Sequence, residues 1–491
     1  MALSFDGLIS NLSHVPALLV SFLHFAAAAG VTVDAMLHKR NVRSAIGWIG
    51  LAWLSPLVGA ALYVLFGINR IERSGSSLRF VDAWKGKDDP GMPDAVTIAE
   101  TEIAARHPRF VGMDRLATSI TGRFLCAGNR VELLPDGDSA FPAMLAEIDG
   151  AKESVTLVTY IFDDDEVGRQ FLEALVRARK RGVAVRVLID GLGSRYSKSS
   201  MISELQREGV AALGFLPTFV PRLFRYANLR NHKKIMVVDG STGFTGGTNI
   251  RAGHWLARNP RHPVRCLHFR VQGPVVADMQ RTFAADWALA SGTEQLIGAP
   301  WFVPLERCGP VLARGIPDGP DTDLDNMSKV MLGALAAARR RVRIVSPYFL
   351  PDETLSSAIK IAALRGVRVE IVIPERTNFK IMDWAMRYQL IDLLESGCAV
   401  YLSPPPFDHA KLFTVDGIWS LIGSTNWDAR SLRLNFEYDL ECYDETLAAG
   451  LDALADARIA TAKPVTVAEL RAQSLAARLR NGAARLITPY A

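Results

Sequence analysis

The hydrophobic pattern divides the chain into a near-uniform apolar front and a long alternating remainder. Gly7–Val33 and Ser44–Asn69 contain no Asp, Glu, Lys or Arg over 27 and 26 residues. About twenty apolar residues cross a bilayer core, so both stretches read as transmembrane segments. The first has neither a basic leader nor a small-residue cleavage site, which argues against a removed signal peptide. Trp48, Trp53 and Tyr63 in the second suit headgroup depth, while Pro56 and Gly59 leave room for a broken or re-entrant helix. Lys39, Arg40 and Arg43 precede the second stretch and Arg70 and Arg73 follow it, so charge does not choose the side of the membrane.

From about Ser74 to Arg123 the chain is polar and reads as an irregular connector, with Lys85–Pro93 a loop. From about Cys126 apolar strands alternate with amphipathic helices, the pattern of a mostly parallel α/β sheet. The pattern occurs twice. Strand Val155–Phe162, helix Glu166–Arg181, Gly182 and strand Val183–Ile189 are matched by Val342–Phe349, Asp352–Arg365, Gly366 and Val367–Ile373. Tyr160 matches Tyr348. The chain reads as a membrane anchor (1–73), a connector (74–125) and two duplicated lobes (126–298 and 299–491).

Composition adds little. The five cysteines are scattered and form no CxxC pair, so neither a disulfide framework nor a zinc site is indicated. A net charge of +5 allows binding to anionic headgroups or nucleic acid without choosing between them.

The chemistry lies in a motif that each lobe carries once. His232, Lys234 and Asp239 are followed by Gly246-Gly247-Thr248-Asn249; His409, Lys411 and Asp416 are followed by Gly423-Ser424-Thr425-Asn426. His and Lys, two apart on a strand, share one face. Asp-Gly in each predicts a two-residue hairpin turn, which sets Gly247 opposite His232 and Ser424 opposite His409. Asn249 and Asn426 then reach the same face. Each Asp has the opposite parity and suits holding the turn. Such a cluster fits a phosphodiester. Lys, Asn and Ser can bind its oxygens; one imidazole can attack phosphorus while the other moves the leaving and entering protons. A metal at His232 and His409 is disfavoured by the adjacent lysines. Nearby His254 and His268 read as structural, and Phe219–Arg230 as either an amphipathic lip or an ordinary surface segment.

These residues resemble the phospholipase D superfamily, whose signature is the duplicated HKD motif. The resemblance runs from about Gly128 to Ala491, and more narrowly is to the bacterial cardiolipin synthase branch. Gly128–Pro135, Tyr160–Gly168, Arg230–Lys234, Ser346–Asp352, Asn426–Ser431, Asn435–Glu437 and Arg485–Pro489 carry it. It implies two tandem α/β lobes packed face to face behind two transmembrane helices, in a bacterial cytoplasmic membrane. It also implies one active site between the lobes, no metal or other cofactor, and no nucleic acid partner. The implied reaction condenses two phosphatidylglycerols into cardiolipin and glycerol through a phosphatidyl-histidine. A lipid hydrolase and a weakened non-catalytic homologue are the alternatives. The catalytic sets are then His232, Lys234 and Asp239 with His409, Lys411 and Asp416. His232 is the nucleophile, His409 the acid/base, and Lys234, Lys411, Asn249, Ser424 and Asn426 bind phosphate. Relatives place a carboxylate after each motif to orient an imidazole. Glu437 fits that place in the second half, but Cys266 occupies it in the first. Another acid substitutes, activity is reduced, the two histidines exchange roles, or Cys266 is simply a buried cysteine.

Overall fold

The computed structural model describes residues 5–39, 42–67, 92–191, 200–216, 229–320 and 323–487. The chain divides into two compact units, Met1–Arg73 and Ser74–Ala491.

In the first unit the helix Phe5–His38 is long enough to span, and Leu19–His38 is apolar enough. The second apolar stretch is not one spanning helix. It breaks into Val42–Leu54, Pro56–Leu62 and a π-helical turn Tyr63–Gly67. The 13-residue piece covers only about 20 Å at 1.5 Å per residue. Pro56 has no N–H for the preceding turn, and a Cβ on Gly59 would lie 2.6 Å from the Leu51 carbonyl oxygen. The expectation of two transmembrane helices is thereby reduced to one helix of spanning length among the described residues. The folded-back pieces are tied to it by Trp53 Nε1 donating to Thr32 Oγ1 (3.1 Å) and Tyr63 Oη donating to Asp34 Oδ2 (2.8 Å). Arg70 and Arg73 lie outside the described residues.

In the second unit the connector is more ordered than its polarity suggests. Met92–Arg106 and Val111–Thr121 are helices. Ala99, Ile103, Met113 and Ala117 from these helices, and Phe110 from the turn between them, enter the core of the second lobe, alongside Ile371, Phe413 and Trp419. Of the expected loop Lys85–Pro93, residues 85–91 lie outside the described residues, and Met92 and Pro93 instead open the helix Met92–Arg106.

The first lobe contributes β1 (Cys126–Pro135), β2 (Ser154–Thr159), β3 (Ala184–Asp190), β4 (Ala211–Phe215), β5 (Arg230–Asn231), β6 (Ile235–Val238), β7 (Thr242–Gly246), β8 (Val264–Arg265) and β9 (Leu267–Gln272). The second contributes β10 (Val311–Asp318), β11 (Arg341–Val345), β12 (Arg368–Pro374), β13 (Ala399–Ser403), β14 (Phe407–Asp408), β15 (Leu412–Val415), β16 (Trp419–Gly423), β17 (Asn435–Tyr443) and β18 (Lys463–Pro464). The order β9-β7-β6-β2-β3-β4 repeats as β17-β16-β15-β11-β12-β13, and β1 and β10 join the two runs edge to edge. The sheet is mixed, not mostly parallel. The runs β2-β3-β4 and β11-β12-β13 are parallel and are linked by crossover helices such as Glu166–Lys180 and Glu353–Leu364; the two-residue pairs β5–β17 and β8–β14 are also parallel. Asp165 and Asp352 cap those helices, accepting from Val167 and Gly168 and from Leu355.

Both motif hairpins, β6–β7 and β15–β16, pair one residue out from the predicted register. Val238 faces Thr242 and Val415 faces Trp419, leaving three residues in each turn. Asp239 and Asp416 adopt left-handed backbone (φ 48° and 57°), and the residue after the Asp-Gly pair is taken into the turn.

Candidate active site

Each histidine precedes its hairpin and is held by the opposite lobe. β5 pairs with β17, and the His232 N–H donates to the Phe436 carbonyl at 2.9 Å. β8 pairs with β14, and the His409 N–H donates to the Arg265 carbonyl at 2.8 Å. These two short crossings set the rings 6.4 Å apart between their centres. Buried Lys233 and Asn231 brace the first crossing, with Lys233 Nζ and Asn231 Nδ2 2.8 and 2.7 Å from Asp286.

The crossings also exchange the groups expected beside each ring. Glu437 lies after the second motif, yet its Oε2 is 2.9 Å from His232 Nδ1. Cys266 lies after the first, yet its Sγ is 4.0 Å from His409 Nδ1. Pairing within one half, as sequence order suggested, is therefore corrected: β17 and β8 deliver these residues across the interface.

Glu437 is fully buried and has a complete set of donors. Ser424 Oγ (2.6 Å), Ser431 Oγ (2.7 Å) and Asn435 Nδ2 (3.1 Å) donate to it in addition to His232. Burial alone would raise its carboxyl; His232, Lys234 and Ser424 outweigh this and hold it below the usual range. His232 is lowered to about 4, first by burial and then by the lysines, against the pull of Glu437. The pair is thus a neutral imidazole donating to a carboxylate.

Among the described residues no carboxylate lies against the His409 ring nitrogens. Its Nδ1 lies 3.2 Å from the Gly247 carbonyl, and burial raises the Cys266 thiol to about 11, leaving it uncharged. A Cβ at Gly247 would be 2.7 Å from Cys266 Sγ and 3.0 Å from the His409 carbonyl oxygen, so glycine is what permits this approach. Burial, Lys411, His254 and Lys234 hold His409 well below its usual range. A carboxylate and a carbonyl only accept, so in both rings Nδ1 carries the proton and Nε2 presents a lone pair.

Lys234 and Lys411 are buried, each donating to the carbonyl of its own motif histidine at 2.5 and 2.8 Å. Burial lowers them to about 7 and about 8, with Glu437 opposing in both cases. Tyr160 and Tyr348, the duplicated tyrosines, set their rings 5.1 and 6.4 Å from His232 and His409.

Other expected site residues fall differently. Ser424, expected to bind phosphate, gives its one hydroxyl proton to Glu437. Asn249 accepts from the Ile161 N–H at 3.3 Å, leaving both amide hydrogens available. Asn426 Nδ2 lies 3.2 Å from Ser431 Oγ, and its buried Oδ1 has no partner. Asp239 and Asp416 follow β6 and β15, strands of roughly 13 Å, whereas their histidines precede those strands. Asp239 accepts the N–H groups of Lys152, Glu153 and Ser154, and Asp416 those of Arg339, Arg340 and Arg341. Both anchor a neighbouring strand and lie outside the histidine cluster. His254, read as structural, has its ring 6.2 Å from that of His409. Most of the expected lip at 219–230 lies outside the described residues.

Sequence reasoning passed over Ser431, Asn435 and the Gly247 carbonyl. Ser431 stood in a stretch noted only for its resemblance to relatives, and no side-chain pattern marks a backbone carbonyl.

A family model described as cardiolipin synthase, PLD-like domain, matches residues 144–287 and 331–458. Cardiolipin synthase A of Pseudomonas fluorescens (strain SBW25) is 33% identical over 97% of this chain and 98% of its own. The major cardiolipin synthase of Bacillus subtilis (strain 168) is 31% identical over 92% and 94%. The crystal structure of phosphatidylserine synthase from Haemophilus influenzae Rd KW20 shares the fold, with TM-score 0.62 at 16% identity, over 77% of this chain and all of that one. With both halves matched and relatives aligned nearly end to end, the chain belongs to the cardiolipin synthase family of phospholipase D-like proteins.

Proposed function

We propose that the chain is a phosphatidyltransferase that condenses two phosphatidylglycerols into cardiolipin and glycerol. The observation that carries this reading is the cross-lobe pair of neutral histidines, 6.4 Å apart, with a buried lysine beside each. His232 Nε2 attacks phosphorus, forming P–N as the bond to glycerol breaks. Glu437 stabilises the imidazolium that results. Lys234 and Lys411, with Asn249 and Asn426, take the non-bridging oxygens. The bound diester's negative charge offsets the lysines that depress His409, so His409 Nε2 takes up a proton from solvent as substrate binds, and the imidazolium then gives that proton to the leaving glycerol. In the second half-reaction His409 takes the proton of the entering hydroxyl, P–O forms and P–N breaks. Cardiolipin leaves, His409 returns its proton to solvent, and both histidines regain their starting forms.

The N-terminal unit is the proposed anchor in a bacterial cytoplasmic membrane. Its long helix spans the bilayer and the broken second stretch embeds beside it.

Expression in a cardiolipin-free bacterial membrane containing phosphatidylglycerol, followed by lipid mass spectrometry, tests the reading. Cardiolipin should appear with the native chain and vanish with His232→Ala or His409→Ala. Phosphatidic acid alone would make the chain a hydrolase, and no lipid change in any variant would make it non-catalytic.

A further inference from the structure

The last described helix, Leu475–Ile487, is turned inside out for one that only completes a core. Leu475, Leu479 and Leu486 are 69%, 65% and 77% exposed, whereas Asn481 and Ala484 are buried. At about 100° per residue the leucines fall within an arc of about 40°, with Asn481 and Ala484 roughly opposite. The charged residues of this helix are Arg478, Arg480 and Arg485, and it contains no acid.

The helix packs against Lys380–Glu395. There the guanidinium groups of Arg480 and Arg485 lie 4.6 and 5.1 Å from the ring centres of Trp384 and Tyr388. Tyr388 is 45% exposed, and Phe379, at the start of that helix, 53%. Phe379 also leads back to the chemistry. Its ring is 6.3 Å from that of Tyr348, which is 6.4 Å from that of His409.

We propose that this helix pair is a membrane-docking face. The leucine stripe enters the acyl boundary of an anionic bilayer, the arginines meet its phosphates, and the active-site mouth faces the lipids. Exposed leucines on a helix whose charged residues are all arginines, with Trp and Tyr alongside, are the composition of an interfacial helix. Arginine held against an aromatic ring keeps its charge where apolar surface meets water. The absence of acidic residues from Leu475–Ile487 matches a negatively charged surface. The proposed function enters only in naming phosphatidylglycerol as the anionic lipid.

The test uses the full chain in nanodiscs, with Cys308→Ser to remove the one cysteine that is not buried. An environment-sensitive fluorophore is placed at Leu479→Cys and, as a reference, at the exposed first-lobe position Glu208→Cys. In phosphatidylglycerol discs carrying spin-labelled acyl chains, quenching at 479 should exceed that at 208 by about twofold or more and weaken in phosphatidylcholine discs. Equal quenching at both positions overturns the proposal. So does energy transfer between labels at 479 without lipid quenching, which would assign the face to a second copy of the chain. This readout needs no turnover, so it stands apart from any failure of the transferase reading. In the transferase assay, Leu475→Ser, Leu479→Ser and Leu486→Ser together should raise the KM for surface lipid about tenfold with kcat within about twofold.

Discussion

Glu437 reaches across the lobe interface to place its Oε2 2.9 Å from Nδ1 of His232, a residue 205 positions earlier in the chain. Neither lobe is a complete site alone. His232 takes its carboxylate from β17, and His409 takes its carbonyl partner from the turn after β7.

Glu437→Gln removes the charge and keeps the shape. The amide can donate to Nδ1 and so favour the tautomer without a free Nε2. A fall in kcat of on the order of 100-fold is expected, with little change in KM. Steady-state kinetics in phosphatidylglycerol vesicles checks this; a loss below about threefold would mean that Glu437 does not support His232 in the rate-determining step.

Cys266→Asp places a carboxylate where the thiol now faces His409. An opposite charge at that distance raises an imidazole pKa by about one to three units. The acid-dependent limb of the kcat profile should therefore move to higher pH. Cys266→Ala, which leaves the Gly247 carbonyl as the Nδ1 partner, should change kcat by less than about fivefold. An unmoved profile in the Asp variant would show that position 266 does not tune His409.

Asp239→Ala and Asp416→Ala should cost stability and spare chemistry. Each strips the acceptor from three backbone N–H groups, at the start of β2 or β11, worth about 1–3 kcal/mol. Asp416 also pairs with Arg109 at 2.6 Å, so its loss should be the larger. Thermal unfolding gives the stability change, and kcat per folded molecule should stay within about threefold of the native value. A well-folded but inactive variant would return these aspartates to the catalytic set.

The duplicated strands, helices and motif residues were legible in the sequence because period-2 and period-3.6 patterns and an exact motif spacing are local signals. The partner of each histidine was not. It depends on β5 joining β17 and β8 joining β14, pairings of two residues each that carry no sequence signature. Hairpin register failed for a related reason. Asp-Gly marks the turn, but Ser241 and Ile418, which become its third residues, look like ordinary strand positions. In the N-terminal unit apolar composition hid a break that Pro56 and Gly59 only hinted at.

Lys234 and Lys411, lowered to about 7 and about 8, make substrate capture pH-dependent. Below these values both are ammonium ions that attract the diester; as pH rises through 7 to 8 they lose charge. The KM for phosphatidylglycerol should therefore climb over that interval. Lys411→Met should already have a raised KM at pH 6 and a flatter rise between 7 and 8. A KM independent of pH across this range in the native enzyme would contradict the assignment.

Trapping the covalent intermediate shows which histidine attacks phosphorus. Native protein mixed briefly with phosphatidylglycerol, quenched in alkaline denaturant to preserve a P–N bond and digested, should give a phosphatidyl-modified peptide containing His232. His409→Ala should carry the same adduct with slow release, and His232→Ala none. A lipid adduct on His409 with His232 unmodified would contradict the proposed division of labour between the two histidines.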